Sequence, residues 1–210
     1  MSMSETKIKL CGLSRKEDIE AVNELLPDYV GFVFFKKSIR NVTFEDAKTL
    51  KEYLSPKIKA VGVFVNEDIE FIKRLVDDRI IDIIQLHGSE TDEYIEKLKK
   101  DASVPVIKAI QIKEESSFSS SLCKNADYYL LDSGMGTGST FDWNIVKDKM
   151  DSLGKEVFLA GGLDPDNVEI AIKNLEPYAV DVSSGIETNK IKDIDKMRRF
   201  VNAARRIRNE

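Results

Sequence analysis

The chain repeats one local pattern eight times: a short apolar run rich in β-branched residues, a turn, and a helix with a recognisable start. The runs are Lys7–Cys11, Tyr29–Phe34, Ala60–Val65, Ile80–Leu86, Val104–Ile110, Tyr128–Leu131, Val157–Ala160 and Ala179–Val182. Ser14 with Glu17 and Thr43 with Asp46 have capping-box spacing, and Asn66 and Ser89 with Asp92 supply the next two helix starts. A fifth helix is expected around Glu114–Lys124, Asp142 caps a sixth, Asp164 before Pro165 opens a seventh, and Ile191–Arg208 forms the eighth. Near-continuous Val/Ile/Leu runs, rather than strict alternation, indicate strands covered by helices and hence a parallel sheet. An open doubly wound sheet would use the same alternation, but eight units favour closure. The expected fold is α/β, a (β/α)8 TIM barrel spanning residues 1–210 as a single domain. The 210 residues lie near the low end of the roughly 200 to over 400 such barrels need.

The last two runs end in small-residue turns. Val157–Ala160 leads into Gly161 and Gly162, and Ala179–Val182 leads into Ser183, Ser184 and Gly185. Such turns ahead of helices present backbone N–H groups, a good cradle for a phosphate dianion. In barrels of this type the loops after strands seven and eight are the usual phosphate grip. The expected ligand is therefore a phosphorylated small molecule.

Charge narrows the partners. A net charge of −5 and the lack of a basic stripe with interleaved aromatics argue against nucleic acid. The arginines from Arg198 to Arg208 read as the solvated side of the last helix. No apolar run approaches the ~18 residues of a membrane span, and the first residues lack the form of a signal peptide. Two cysteines, Cys11 and Cys123, are too few for a disulfide framework, so a reducing, cytoplasmic setting is expected. Cys11 ends the first strand, whereas Cys123 falls near the end of a helix running toward the opposite face, so the two should not pair.

Polar residues at the C-terminal ends of barrel strands are the catalytic candidates: Cys11, Arg40, Gln85, His87 and Asp132. Each has a plainer role open to it. Cys11 is a small core residue, Asp132 a loop cap, Arg40 a surface ion pair, and Gln85 or His87 a partner for the backbone. With one histidine and no close Cys/His cluster, no metal site is expected. A thiol, a carboxylate, a guanidinium and a phosphate grip suit proton shuttling on a sugar phosphate that carries a second anionic group.

The ordered set Lys9–Leu13, Gly31–Phe34, Lys37–Arg40, Gln85–Gly88, Leu131–Ser133, Gly136–Gly138 with Thr140–Trp143, Ala160–Leu163 and Val180–Gly185 resembles the phosphoribosylanthranilate isomerases of tryptophan biosynthesis. The resemblance spans essentially the whole chain. It implies an Amadori rearrangement without metal or coenzyme, by a monomer or homodimer. By it, Asp132 is the general acid that opens the ribose ring and Cys11 the general base at C2′. Arg40 would pair with the anthranilate carboxylate, for which a planar fork suits better than lysine. Gly161, Gly162, Ser183, Ser184 and Gly185 would hold the phosphate, with Asp181 positioning the last loop or contacting hydroxyls. A free thiol titrates near 8.5 and a free aspartate near 3.9, so Cys11 is expected to be lowered and Asp132 raised. The chain departs from the family pattern at Lys36, Ser139 and Glu187–Lys192, which lacks the Pro-Gly frequent there. Two alternatives stand beside this reading: the related aminoaldose isomerase of histidine biosynthesis, which relies on two aspartates, and a non-catalytic phosphate-ligand barrel.

Overall fold

A computed structural model describes residues 5–111, 122–132 and 143–207. Eight strands close into one parallel barrel in sequence order: β1 (Lys7–Cys11), β2 (Tyr29–Val33), β3 (Lys59–Phe64), β4 (Ile83–Leu86), β5 (Val106–Gln111), β6 (Tyr128–Asp132), β7 (Val157–Ala160) and β8 (Ala179–Val182), which pairs back onto β1. The described helices are α1 (Lys16–Leu25), α2 (Phe44–Tyr53), α3 (Ile69–Asp77), α4 (Asp92–Asp101), α5 (Trp143–Ser152), α6 (Val168–Leu175) and α7 (Ile194–Arg206). The helix expected around Glu114–Lys124 falls largely outside the described residues, as do the Asp142 cap and Gly136–Gly138.

Strand alternation divides the core in two. Residues such as Ile8, Leu10, Phe32, Ile84 and Leu131 point outward and are buried under the helices. Val61, Ile83, Ile107, Leu130 and Phe158 point inward and fill the barrel. At its N-terminal end Tyr29, Tyr128 and Tyr178 close around Phe158, with ring centroids 5.5–5.7 Å from the Phe158 ring. The Tyr29 and Tyr178 hydroxyls lie 2.9 Å apart. This aromatic floor leaves the polar inward side chains at the opposite, C-terminal end.

An aspartate ahead of β2, β4 and β6 ties down the odd strand before each. Asp28 accepts from Ile8 N at 2.9 Å, Asp82 from Ala60 N at 2.7 Å, and Asp127 from Val106 N at 2.8 Å. Asp82 also meets Lys51 of α2 at 2.5 Å, and Asp127 meets Lys99 of α4 at 2.6 Å. Each carboxylate thus satisfies a strand-end amide, and Asp82 and Asp127 also tie α2 and α4 to the sheet.

Several helix starts differ from the sequence reading. Thr43 and Asp46 form the expected box. The first helix, however, is capped by Arg15 with Asp18 rather than Ser14 with Glu17. The buried Asp18 carboxylate accepts from both Ser14 N and Arg15 N at 3.1 Å, and the Arg15 guanidinium neutralises it. Asn66 does not cap; it takes a left-handed φ of 50°, which asparagine tolerates, and Asp68 caps α3 instead. Thr91 replaces Ser89 as the cap of α4, because Ser89 is held by Asn66 Oδ1. Asp164 fixes the turn before α6 by accepting from Asp166 N and Asn167 N, and the helix itself begins at Val168. Strand β4 starts at Ile83, three residues later than expected.

The last helix is shorter than Ile191–Arg208. A one-turn 3₁₀ helix (Ser184–Ile186) and an antiparallel hairpin, β9 (Glu187–Thr188) with β10 (Ile191–Lys192), precede it. In α7 Met197, Phe200, Val201 and Ala204 form the buried stripe, while Arg198 and Arg199 pair with Asp195 and Asp166 on the exposed face. The cationic tail is a solvated face, as expected for that spacing.

Removing a strand-end acceptor leaves a buried amide unpaired. Asp127→Ala is expected to cost roughly 1–3 kcal/mol in urea unfolding, and Lys99→Met less than about 1 kcal/mol, as for exposed ion pairs. Equal losses would show that the ion pair, not the strand amide, is what Asp127 provides.

Candidate active site

Cys11 is the last residue of β1 and 7% exposed, facing a cavity of about 500 Å³ at the C-terminal end of the barrel. Its sulfur has room there because residue 31, its register partner on β2, is glycine; a Cβ at Gly31 would lie 2.6 Å from Cys11 Sγ. The cavity is also lined by Arg40, Gln85, His87 and Asp132, by Asp181, and by Gly161, Gly162, Ser183 and Ser184. Every expected site residue except Gly185 therefore meets in one space.

Gly185 does a different job. A Cβ on it would fall 2.0 Å from the carbonyl oxygen of Leu163, so its lack of a side chain lets the loops after β7 and β8 touch. Gly161 and Gly162 have φ of 92° and 74°, the region that favours glycine. Asn167 Nδ2 holds the Gly162 carbonyl at 2.9 Å. The two turns form one unit with small residues and backbone facing the cavity, suited to an anion.

On the far wall, Gln85 Nε2 contacts His87 Nδ1 at 3.1 Å, and His87 Nε2 lies 3.7 Å from Asp132 Oδ2. Gln85 Oε1 is buried and makes no hydrogen bond among the described residues. The loop carrying His87 is fixed from behind by Glu90, which accepts from Asn66 N at 2.7 Å, Gly88 N at 2.9 Å and Lys108 Nζ at 2.8 Å. Burial opposes the Glu90 charge, but Lys108 and the Asn66 amide hold its carboxyl below the usual range.

Arg40 lines the cavity with its guanidinium forked onto Glu187, Nε to Oε1 at 2.6 Å and Nη2 to Oε2 at 2.7 Å. Lys192 Nζ joins the same carboxylate at 2.7 Å and donates to the Ser183 carbonyl at 2.9 Å. The β9–β10 hairpin, where the sequence departs from the expected Pro-Gly, thereby connects Arg40 to the β8 turn. Asp181 meets Lys9 Nζ at 2.9 Å inside the barrel.

Sequence reasoning missed Lys9, Glu187 and Lys192. Lys9 had a signal: it lies two residues before Cys11 on a strand and so shares its inward face. The expectation of a lowered Cys11 thiol is corrected. Burial pushes the thiol up, against Lys9 and Lys192, which pull it down, and Asp181 adds to the upward shift. Cys11 and Cys123 are both free and buried. Among the described residues no cluster of three His, Cys, Asp or Glu side chains could hold a metal ion.

Fold and site together define a phosphate-binding (β/α)8 barrel with a thiol and a carboxylate in one cavity. Residues 8–203 match the family model described as N-(5′-phosphoribosyl)anthranilate (PRA) isomerase. A relative of that name from Clostridium acetobutylicum is 44% identical over 207 residues, covering 96% of this chain and 99% of the relative. One from Streptococcus mutans is 44% identical over 202 residues, covering 96% and 100%. The crystal structure of phosphoribosyl anthranilate isomerase from Thermotoga maritima superposes with a TM-score of 0.86 at 36% identity, covering 95% of this chain and 98% of that one. A crystal structure of such an isomerase in complex with reduced 1-(o-carboxyphenylamino)-1-deoxyribulose 5-phosphate gives 0.84 at 36% identity with the same coverage. The chain belongs to the N-(5′-phosphoribosyl)anthranilate isomerase family.

Gly185→Ala forces the two turns apart. It is expected to lower stability by roughly 1–3 kcal/mol and to weaken the protection that inorganic phosphate gives in thermal unfolding. Unchanged phosphate protection would show that contact between the turns does not shape the anion seat.

Proposed function

We infer that this protein is the isomerase that converts N-(5′-phosphoribosyl)anthranilate to 1-(2-carboxyphenylamino)-1-deoxyribulose 5-phosphate in tryptophan biosynthesis. The observation that carries the assignment of roles is the meeting of Cys11 and Asp132 in one cavity with the Gly161–Gly162 and Ser183–Ser184 turns.

In this reading the phosphate sits on the two turns and the anthranilate carboxylate approaches Arg40, which already lies at the cavity wall. Asp132 gives its proton to the ribose ring oxygen, the C1′–O bond breaks and the nitrogen lone pair forms the Schiff base. Cys11 takes the C2′ proton, and the C–H electrons form the enolamine. A proton added at C1′ and one lost from the C2′ hydroxyl then leave the ketone. General acid–base steps of this kind contribute roughly 10²–10⁴-fold each.

The protonation states follow. The competent form pairs a Cys11 thiolate with an Asp132 carboxylic acid and holds as many protons as the thiol–carboxylate form. It is one of two proton isomers of a coupled pair, not a separate ionisation. Burial raises the Cys11 thiol, which favours the thiol in the free site. The same reading places the enzyme in the cytoplasm, as a monomer or homodimer acting on a phosphorylated small molecule. No described helix is long and apolar enough to cross a membrane.

The test follows the fluorescence decay of freshly made phosphoribosylanthranilate. Cys11→Ser and Asp132→Asn are each expected to lower kcat roughly 10²–10⁴-fold with little change in Tm. Near-normal turnover in either variant removes that residue from the mechanism. Arg40→Lys keeps the charge but loses the fork, so KM should rise more than kcat falls. An unchanged KM would take the carboxylate away from Arg40.

A further inference from the structure

Lys9 is a fully buried lysine inside the barrel, one strand repeat below the thiol. Its ammonium contacts Asp181 Oδ1 at 2.9 Å, and this side-chain pair is 0% and 9% exposed. A lysine so placed is costly unless its charge serves a neighbour, and a Lys–Asp pair alone would be replaceable by apolar residues of similar volume. What distinguishes this pair is its place: Lys9 lies two residues before Cys11 on β1, on the same inward face, where its charge favours a thiolate.

The groups around the thiol come from several elements. Lys9 faces it from its own strand and Asp181 from β8, while Lys192 of the hairpin and Arg40 of the loop after β2 share Glu187. His87 and Asp132 line the same cavity on the far wall. Near the thiol, Lys9, Arg40 and Lys192 stand against Asp181 and Glu187, an excess of one positive charge that a thiolate would neutralise. Arg40 and Lys192 both donate to Glu187; Lys9 is the cation on the thiol's own strand, two residues away on the same inward face.

We propose that Lys9 is a positioning residue for the reaction: clamped by Asp181 beneath Cys11, its ammonium is the counter-ion that lets Cys11 enter the reaction as a thiolate. The proposal rests on the reading of Cys11 as the base. When the C2′–H bond breaks and the S–H bond forms, negative charge leaves the sulfur and Lys9 stays protonated. Asp181 has the opposite electrostatic effect, since its carboxylate takes up part of the Lys9 charge.

The opposed signs make the test. In a Cys123→Ala background, the rate of Cys11 alkylation by iodoacetamide is followed against pH in the ligand-free enzyme. Lys9→Met should move the inflection up by roughly one pH unit or more, and Lys9→Arg should restore most of it. Asp181→Asn should move the inflection down. Because the competent form is a proton isomer of the thiol–carboxylate form, the falling limb of kcat/KM should shift with the alkylation inflection in each variant, and its plateau should drop in Lys9→Met and rise in Asp181→Asn. Shifts of Lys9→Met and Asp181→Asn in the same direction, or no shift in either, would overturn the proposal, because a merely structural pair predicts just that. Should Lys9→Met not fold, the Lys9→Arg and Asp181→Asn arms still give the sign. The alkylation assay contains no substrate, so it stands apart from the functional assignment. An inflection that moves while the kinetic limb stays fixed would remove Cys11 as the base and leave its coupling to Lys9 in place.

Discussion

A thiol buried at the mouth of a barrel can take a proton from carbon only if something replaces the water it has lost. Here that replacement is fixed positive charge: Lys9 from below, and Arg40 and Lys192 from the rim. Desolvation still pushes the thiol up. The free site therefore favours the thiol, and the cations oppose that shift. Each of the three cations is held by a carboxylate, Asp181 or Glu187, so their positions are set before any ligand arrives.

The barrel makes this arrangement possible through its period. Alternate residues of each strand point inward, and the floor of Tyr29, Tyr128, Tyr178 and Phe158 fills one end with rings. Only the other end can hold polar groups. The aspartates before β2, β4 and β6 fasten that frame. Gly31 leaves space for the sulfur, and Gly185 lets the turns after β7 and β8 touch. Removal of side-chain volume thus shapes the site as much as the charged groups do.

Much of this was legible in the residues. The eight apolar runs correspond to the eight strands, within a few residues at their ends, and the small-residue turns lie where a phosphate grip was expected. Helix starts were less legible, because a cap is decided by which nearby carboxylate or hydroxyl reaches the amides. Asp18 rather than Glu17 lies against Ser14 and Arg15, and Asn66 turns left-handed to hold Ser89. Lys9 entered only as part of the Lys9–Leu13 stretch; its burial against Asp181 of β8 needed the closed barrel. Glu187 and Lys192 escaped because their partners, Arg40 and Ser183, are brought to them by the β9–β10 hairpin, and that short element has no periodicity. The direction of the Cys11 shift needed the structure as well, since burial is not written in the residue itself.

Cys11 and Asp132 line the same cavity as the two small-residue turns, and the proposed rearrangement needs them on either side of a ribose whose phosphate those turns hold. The most direct measurement is a crystal structure of this protein with reduced 1-(o-carboxyphenylamino)-1-deoxyribulose 5-phosphate. The phosphate should lie on Gly161–Gly162 and Ser183–Ser184, the carboxylate on Arg40, and C2′ within about 3–3.5 Å of Cys11 Sγ, the separation of a near-attack geometry. A ligand seated with its phosphate elsewhere, or with C2′ out of reach of the thiol, would contradict it.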